Sequence, residues 1–178
     1  MLIKAYAQNW NPNIINWCSR GRNNAASLMG QVKVKTKWHN INFWNTKVIY
    51  VLYDNYKCTY VGKALDRGFG IRLKEHLSDR LSNRWDTFSF YSLSTINVTT
   101  GETRAPGTRQ ISSETMINSL EAISILIADP SLNRKRESLK DALEIYQLQG
   151  TEDESKESYQ QDIIARLDEI ERLLLHLK

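Results

Sequence analysis

The chain has 178 residues, 41% of them hydrophobic, and sets 24 Lys and Arg against 20 Asp and Glu for a formal net charge of +4. That length suffices for one domain with a genuine core, and its two cysteines, Cys18 and Cys58, exclude a disulfide framework or a zinc-ligand spacing. No apolar run reaches membrane length and the start, Met-Leu-Ile-Lys-Ala-Tyr, is too short and polar for a signal sequence, so a cytoplasmic protein with no membrane partner is expected.

Residues 1–46 read as a basic extension rich in Trp and Asn. No acid precedes Asp54, whereas Lys4, Arg20, Arg22, Lys33, Lys35, Lys37 and Lys47 are all present. Gln31 to Trp38 alternates, so one strand is expected with Val32, Val34 and Thr36 on one face and Lys33, Lys35 and Lys37 on the other. Asn and Arg can read base edges and Trp can stack on exposed bases. Equally, the aromatics can cover a sheet while the lysines keep an edge strand soluble. Both readings stay open.

Residues 48 to 53, Val-Ile-Tyr-Val-Leu-Tyr, are β-branched or aromatic and predict a strand. Asp54-Asn55 supplies turn chemistry, and Cys58-Thr59-Tyr60-Val61 a second strand ending at Gly62. A turn centred on Asn55 sets Tyr50 directly opposite Tyr60, with Cβ atoms about 4.5–5.5 Å apart. Two phenols then share one face; an ordinary aromatic cross-strand pair is the plainer account. Cys58 is expected to be a buried thiol.

After Gly68 and Gly70 a helical period over 71–81 stacks Leu73, Leu77 and Leu81, and puts Arg72 and His76 on one stripe beside them. A guanidinium suits bidentate contact with a phosphate, and an imidazole one turn away moves protons near neutral pH. A solvated face that happens to carry both is the alternative. The stretch from Ser94 to Gln110 reads as a long loop or small hairpin, bringing Arg104 and Arg109 within reach of a polyanion. From Met116 to Ala128 a helix is apolar nearly all round, which predicts burial. Its one charge, Glu121, then needs a cationic partner, either a divalent metal or Arg72; a structural Glu–Arg pair or a carboxylate at the helix rim is the plainer account.

Together Val48-Ile49-Tyr50, Tyr60-Val61-Gly62-Lys63, Arg72-x-x-x-His76 and Glu121 followed by Pro130-Ser131-Leu132-Asn133 resemble the GIY-YIG nuclease superfamily over about residues 47 to 135. The likeness is to compact restriction-type, phage or mobile-element members. Val48 stands where the motif has Gly, and Val61 where it has Ile. The resemblance implies an α/β (α+β) fold: a small, three-stranded, mostly antiparallel sheet flanked by helices, with the N-terminal extension and C-terminal helices added. It implies a metal-dependent endonuclease with catalytic residues Tyr50, Tyr60, Lys63, Arg72, His76, Glu121 and Asn133. One Mg²⁺ or Mn²⁺ on Glu121 would bind the phosphate and help the 3′-oxygen leave, and Arg72 would offset charge developing in the transition state. The base stays open between a tyrosine and His76; Asn133 orients the glutamate or a phosphate. A catalytically idle nucleic-acid-binding or assembly module is the rival reading.

Charge placement agrees with a nucleic-acid substrate. Residues 1–110 hold 16 Lys and Arg against 6 Asp and Glu, whereas 111–178 hold 8 against 14. DNA is the expected partner, with RNA left open, and Lys33, Lys35, Lys37, Arg104 and Arg109 are the expected contacts. The nuclease core is assigned to 47–136 and a helical tail to 137–178. That tail begins with a helix presenting Leu139, Leu143 and Tyr146 and closed by Gly150. After a charged linker at 151–158, a short heptad seam runs through Ile163, Leu167, Ile170, Leu174 and Leu177. Docking of that helix on its own domain and a homodimer through 159–178 both fit.

Overall fold

The structure, a computed structural model, describes residues 2–17, 26–107, 111–129, 139, 141–148, 164 and 167. Strand β1 spans Ala5–Trp10, β2 Met29–Val34, β3 Lys37–Asn42, β4 Val48–Asp54 and β5 Lys57–Ala64. Helix α1 (Phe69–His76) follows, then β6 (Thr87–Ser92), β7 (Thr95–Asn97) and β8 (Glu102–Arg104). Helix α2 (Ser113–Ala128) and the two-residue strands β9 (Leu143–Glu144) and β10 (Tyr146–Gln147) complete the described elements.

This corrects the expected fold class. In place of a three-stranded sheet flanked by helices, the chain is mostly β. Its main sheet has five strands in the order β5-β4-β6-β1-β9, with β1 and β9 parallel. A three-stranded sheet, β10-β2-β3, and the hairpin β7-β8 accompany it. Strand β1 comes from the stretch read as an extension, yet pairs with β6 inside the main sheet. Its alternation of buried Ala5, Ala7 and Trp10 with part-exposed Tyr6 and Gln8 is a strand pattern that the basic, Asn-rich composition hid.

The segment expected to be a helix ending at Gly150 instead contains β9 and β10. The Leu143 and Ile145 amides donate to Lys4 and Tyr6 carbonyls at 2.9 and 2.8 Å, and the Trp10 indole donates to the Ile145 carbonyl. Pairing with β1 and β2 satisfies backbone that a short helix would satisfy internally, so tertiary context overrides the local period.

Two register corrections matter for the site. Asn55 and Tyr56 both have positive φ, 48° and 63°, as a two-residue hairpin turn of the primed kind requires. A bulge then leaves Thr59 extra on β5, its hydroxyl donating to the Leu52 carbonyl at 3.0 Å. Tyr50 therefore pairs with Gly62 and Tyr60 with Leu52; the two tyrosines are diagonal neighbours on one face rather than directly opposite. Likewise, Gln31 to Trp38 is not one strand. It turns back at Lys35, whose φ is 55°, so Lys33 pairs with Trp38 and Val34 with Lys37. Cys58, expected buried, is exposed beside the hairpin turn.

The sheet separates two apolar clusters. Tyr50 and Leu52 point to the side that holds Trp10, Phe43, Phe88, Phe90 and the Phe69 and Leu73 side chains of α1. Val51, Tyr53 and Tyr91 point to the other side, where Ala122 of α2 packs with Ile3 and Leu139. The period of two along β4 thus puts α1 and α2 on opposite faces. Helix α2 is not buried all round as expected: Met116, Ile117 and Leu120 are 46, 62 and 58% exposed. One apolar stripe, around Ala122, Ile123, Leu126 and Ile127, suffices to seat it.

Candidate functional site

Strand β4 carries Tyr50 into the core at 0% exposure, and α1 delivers His76 beneath it at 2%. The Tyr50 Oη and His76 Nε2 are 2.7 Å apart, and His76 Nδ1 lies 2.7 Å from the Asp79 carboxylate. A carboxylate only accepts, so Nδ1 carries hydrogen, and a ring with that single hydrogen accepts at Nε2 from the Tyr50 hydroxyl. Asp79, His76 and Tyr50 thereby form one hydrogen-bonded line. Burial raises the Asp79 carboxyl, but the bond from the Leu81 amide and the bond to His76 outweigh it, and the net direction is down.

Burial, then the neighbouring Tyr60, pushes the Tyr50 phenol up to about 12 against a smaller downward pull from Arg72. Tyr50 is therefore a neutral phenol at physiological pH. The Tyr60 ring lies 6.1 Å from that of Tyr50 and 5.2 Å from the imidazole, with the Arg80 guanidinium 6.0 Å from its centre. Tyr60 is half-buried and borders the solvent.

A cleft of about 630 Å³ opens in front of this line, walled by Tyr60, Lys63, Asp66, Arg67 and Arg72 among others. Three cations face one acid on those walls, so the cleft favours an anion. Glu75 holds two of the cations: it accepts from Arg67 at 2.5 Å and from Arg72 one turn back on the same helix. Burial works against the Arg72 cation, but its bonds to Glu75 and Tyr50 prevail and raise its pKa further. The guanidinium is fixed and permanently charged.

Two glycines let this architecture close. A Cβ at Gly62 would overlap the Tyr50 phenol and come within 2.7 Å of the Tyr60 ring, so only glycine leaves room for the buried hydroxyl. At Gly70 a Cβ would overlap the Trp44 ring, and the Gly70 amide donates to the Trp44 carbonyl at 2.8 Å. Glycine there lets α1 start hard against the loop before β4.

Of the expected site residues, Tyr50, Tyr60, Lys63, Arg72 and His76 are brought together. Glu121 is not. It is exposed on α2, which seats on the face opposite α1, and Arg72 takes Glu75 as its carboxylate partner. Among the described residues no cluster of three or more His, Cys, Asp and Glu is placed to hold a metal. The residues present do not fit a cation held by Glu121 and shared with Arg72 and Tyr60. Asn133, Arg109 and nearly all of 159–178 lie outside the described residues, while Arg104 borders a second cleft of about 590 Å³ near Leu2 and Ile111. Lys33, Lys35 and Lys37 are exposed together at the β2–β3 turn. Sequence reasoning missed Asp79, Arg67 and Glu75; the His76-x-x-Asp79 spacing, one helical turn, was the available signal for the first. No family model matches this chain, nor does any curated protein or solved structure.

Proposed function

We propose that the protein is a nuclease that hydrolyses phosphodiester bonds in DNA at the cleft bordered by Tyr60 and Arg72. The observation that carries this reading is the line from exposed Asp79 through buried His76 to buried Tyr50, ending behind a cleft with three cationic walls. Arg72 and Lys63 offset phosphate charge as it grows in the transition state. Tyr60 is the phenol nearest the cleft, and Tyr50 links it to His76. A water attacking phosphorus delivers its proton to this chain, with the imidazole as final acceptor and Asp79 steadying the cation formed, while the bond from phosphorus to the 3′-oxygen breaks and the leaving oxygen takes a proton from solvent. The order of the tyrosine, arginine and histidine motifs, which resembles that of GIY-YIG nucleases, supports the same chemistry.

The deciding experiment incubates the full chain with supercoiled plasmid in Mg²⁺, in Mn²⁺ or in EDTA, followed by end mapping. Cleavage lost in Tyr60→Phe and His76→Ala is the expected result; a parent protein that leaves DNA intact under all three conditions ends the proposal. Comparing EDTA with the metals reads the requirement for a divalent cation directly.

A second reading, an idle nucleic-acid-binding module, is favoured by one observation: the carboxylate expected to hold the metal sits away from the cleft. Binding without cutting, unchanged by Mn²⁺, is its signature.

A further inference from the structure

The small sheet β10-β2-β3 turns one face inward and one outward. Gly30, Val32 and Ile41 are buried on the inner face, with Ile145 and Trp10 against Gly30. Alternation then sends Gln31 and Lys33 of β2, Trp38 and Asn40 of β3, and Tyr146 of β10 to the other face. Trp38 and Tyr146, large aromatics that normally seek the core, are 51 and 49% exposed here. Their rings meet edge to face at 5.7 Å, and the Lys33 ammonium lies 5.9 Å from the Trp38 ring centre. Between them Gln31 donates to Asn40 at 3.2 Å, a single bond that leaves most of both amides' hydrogen-bonding capacity unused.

We propose that this face is a stacking platform for unpaired nucleotides of the substrate. The proposal deepens the nucleic-acid reading of the cleft and rests on it. Half-exposed rings offer π-faces to bases, and every base can stack on them. Duplex DNA shows a groove-lying strand only base edges, so aromatic faces point to unpaired bases. The Gln31 and Asn40 amides can meet Watson–Crick edges, which only unpaired bases leave free. Lys33, Lys35 and Lys37, clustered at the adjoining turn, supply charge for the backbone. Glu144, which accepts from the Tyr146 hydroxyl at 3.1 Å, brings one opposing charge to the same edge.

The test measures binding in EDTA, so that cleavage plays no part. Fluorescence anisotropy follows the full chain titrated onto a fluorescein-labelled oligothymidylate of about 20 nucleotides, longer than a typical single-strand site, and onto a duplex of equal length. Trp38→Ala and Tyr146→Ser should each weaken single-strand binding about tenfold, the scale of one lost stack. Duplex binding should stay within about twofold, and Trp38→Phe should restore single-strand binding in large part. The proposal is overturned if neither variant changes single-strand affinity, if both substrates weaken equally, or if the parent binds neither. Trp38→Phe and Tyr146→Ser leave the test standing should Trp38→Ala fail to fold. The two readings fail separately: a platform that binds in a chain that never cuts ends the catalytic reading alone, and cleavage with no effect of either aromatic ends the platform alone.

Discussion

At the scale of single residues, Tyr50 is where folding and chemistry meet. Its ring fills the core under β5, and its hydroxyl is the last buried member of the line from Asp79. Unfolded, the phenol ionises near pH 10.0; folded, it holds its proton to about 12. Stability linked to Tyr50 is therefore full below pH 10 and is lost as pH rises from there through about 12, for about 2–3 kcal/mol in all. Burial raises Tyr91 and Tyr53 in the same direction, so they contribute in the same alkaline range. Tyr50→Phe should cost about 1–3 kcal/mol at pH 7 by orphaning His76 Nε2, and should make the alkaline loss shallower. Urea unfolding at pH 7, 10 and 11.5 measures both, and an alkaline loss identical to the parent's would refute the assignment. Gly62→Ala attacks the same hydroxyl from the facing strand. Its methyl must displace the phenol, at about 1–3 kcal/mol for overpacking. It should also weaken the Tyr50–His76 bond, read as changed imidazole chemical shifts of His76 at pH 7 by NMR; unchanged stability together with unchanged shifts would mean the overlap is relieved elsewhere.

At the scale of elements, what the sequence disclosed and what it hid follow from the range of the interactions. Strands β4 and β5 and the helix bearing Arg72 and His76 were legible because their patterns are local: a β-branched run, a turn pair, a period of four. The Thr59 bulge was not, since an extra residue leaves no mark in the hydrophobic pattern until the partner strand is known. Strands β9 and β10 were misread as a helix because two-residue strands are shorter than any period, and only β1 and β2 make them strands. Of the residues expected at the site, the five that the structure brings together lie on β4, β5 and α1, where spacing is local, whereas the expectation for Glu121 rests on the composition of α2, which does not report which side of a sheet a helix covers. Being exposed rather than buried, Glu121 should tolerate Glu121→Gln with a stability change within about 0.5 kcal/mol. Thermal unfolding checks this, and a loss of several kcal/mol would mean that the carboxylate has a buried partner after all.

At the scale of the whole molecule, the cleft and the small sheet are two cationic features to which the proposals give different jobs, and salt separates them. Lys63, Arg67 and Arg72 wall the cleft proposed to hold the reacting phosphate, two of them tied to Glu75. Lys33, Lys35 and Lys37 stand free of the cleft walls at an exposed turn, where the proposed platform assigns them the release of counterions from the nucleic-acid backbone. Replacing all three turn lysines with alanine should weaken binding to every sequence alike and lower the slope of log affinity against log salt by about 3, one for each ammonium that no longer meets a phosphate. It should leave the cleavage rate at saturating DNA unchanged, because none of the three borders the cleft. Arg72→Ala should do the reverse, lowering turnover far more than affinity, since its charge acts on the transition state. Titrations from about 50 to 200 mM salt, the range over which such ion pairs weaken, together with single-turnover cleavage, read both effects. If the triple lysine variant keeps the parent's slope, the β2–β3 turn does not touch the backbone, and the polyanion approaches from the Arg104 side of the molecule instead.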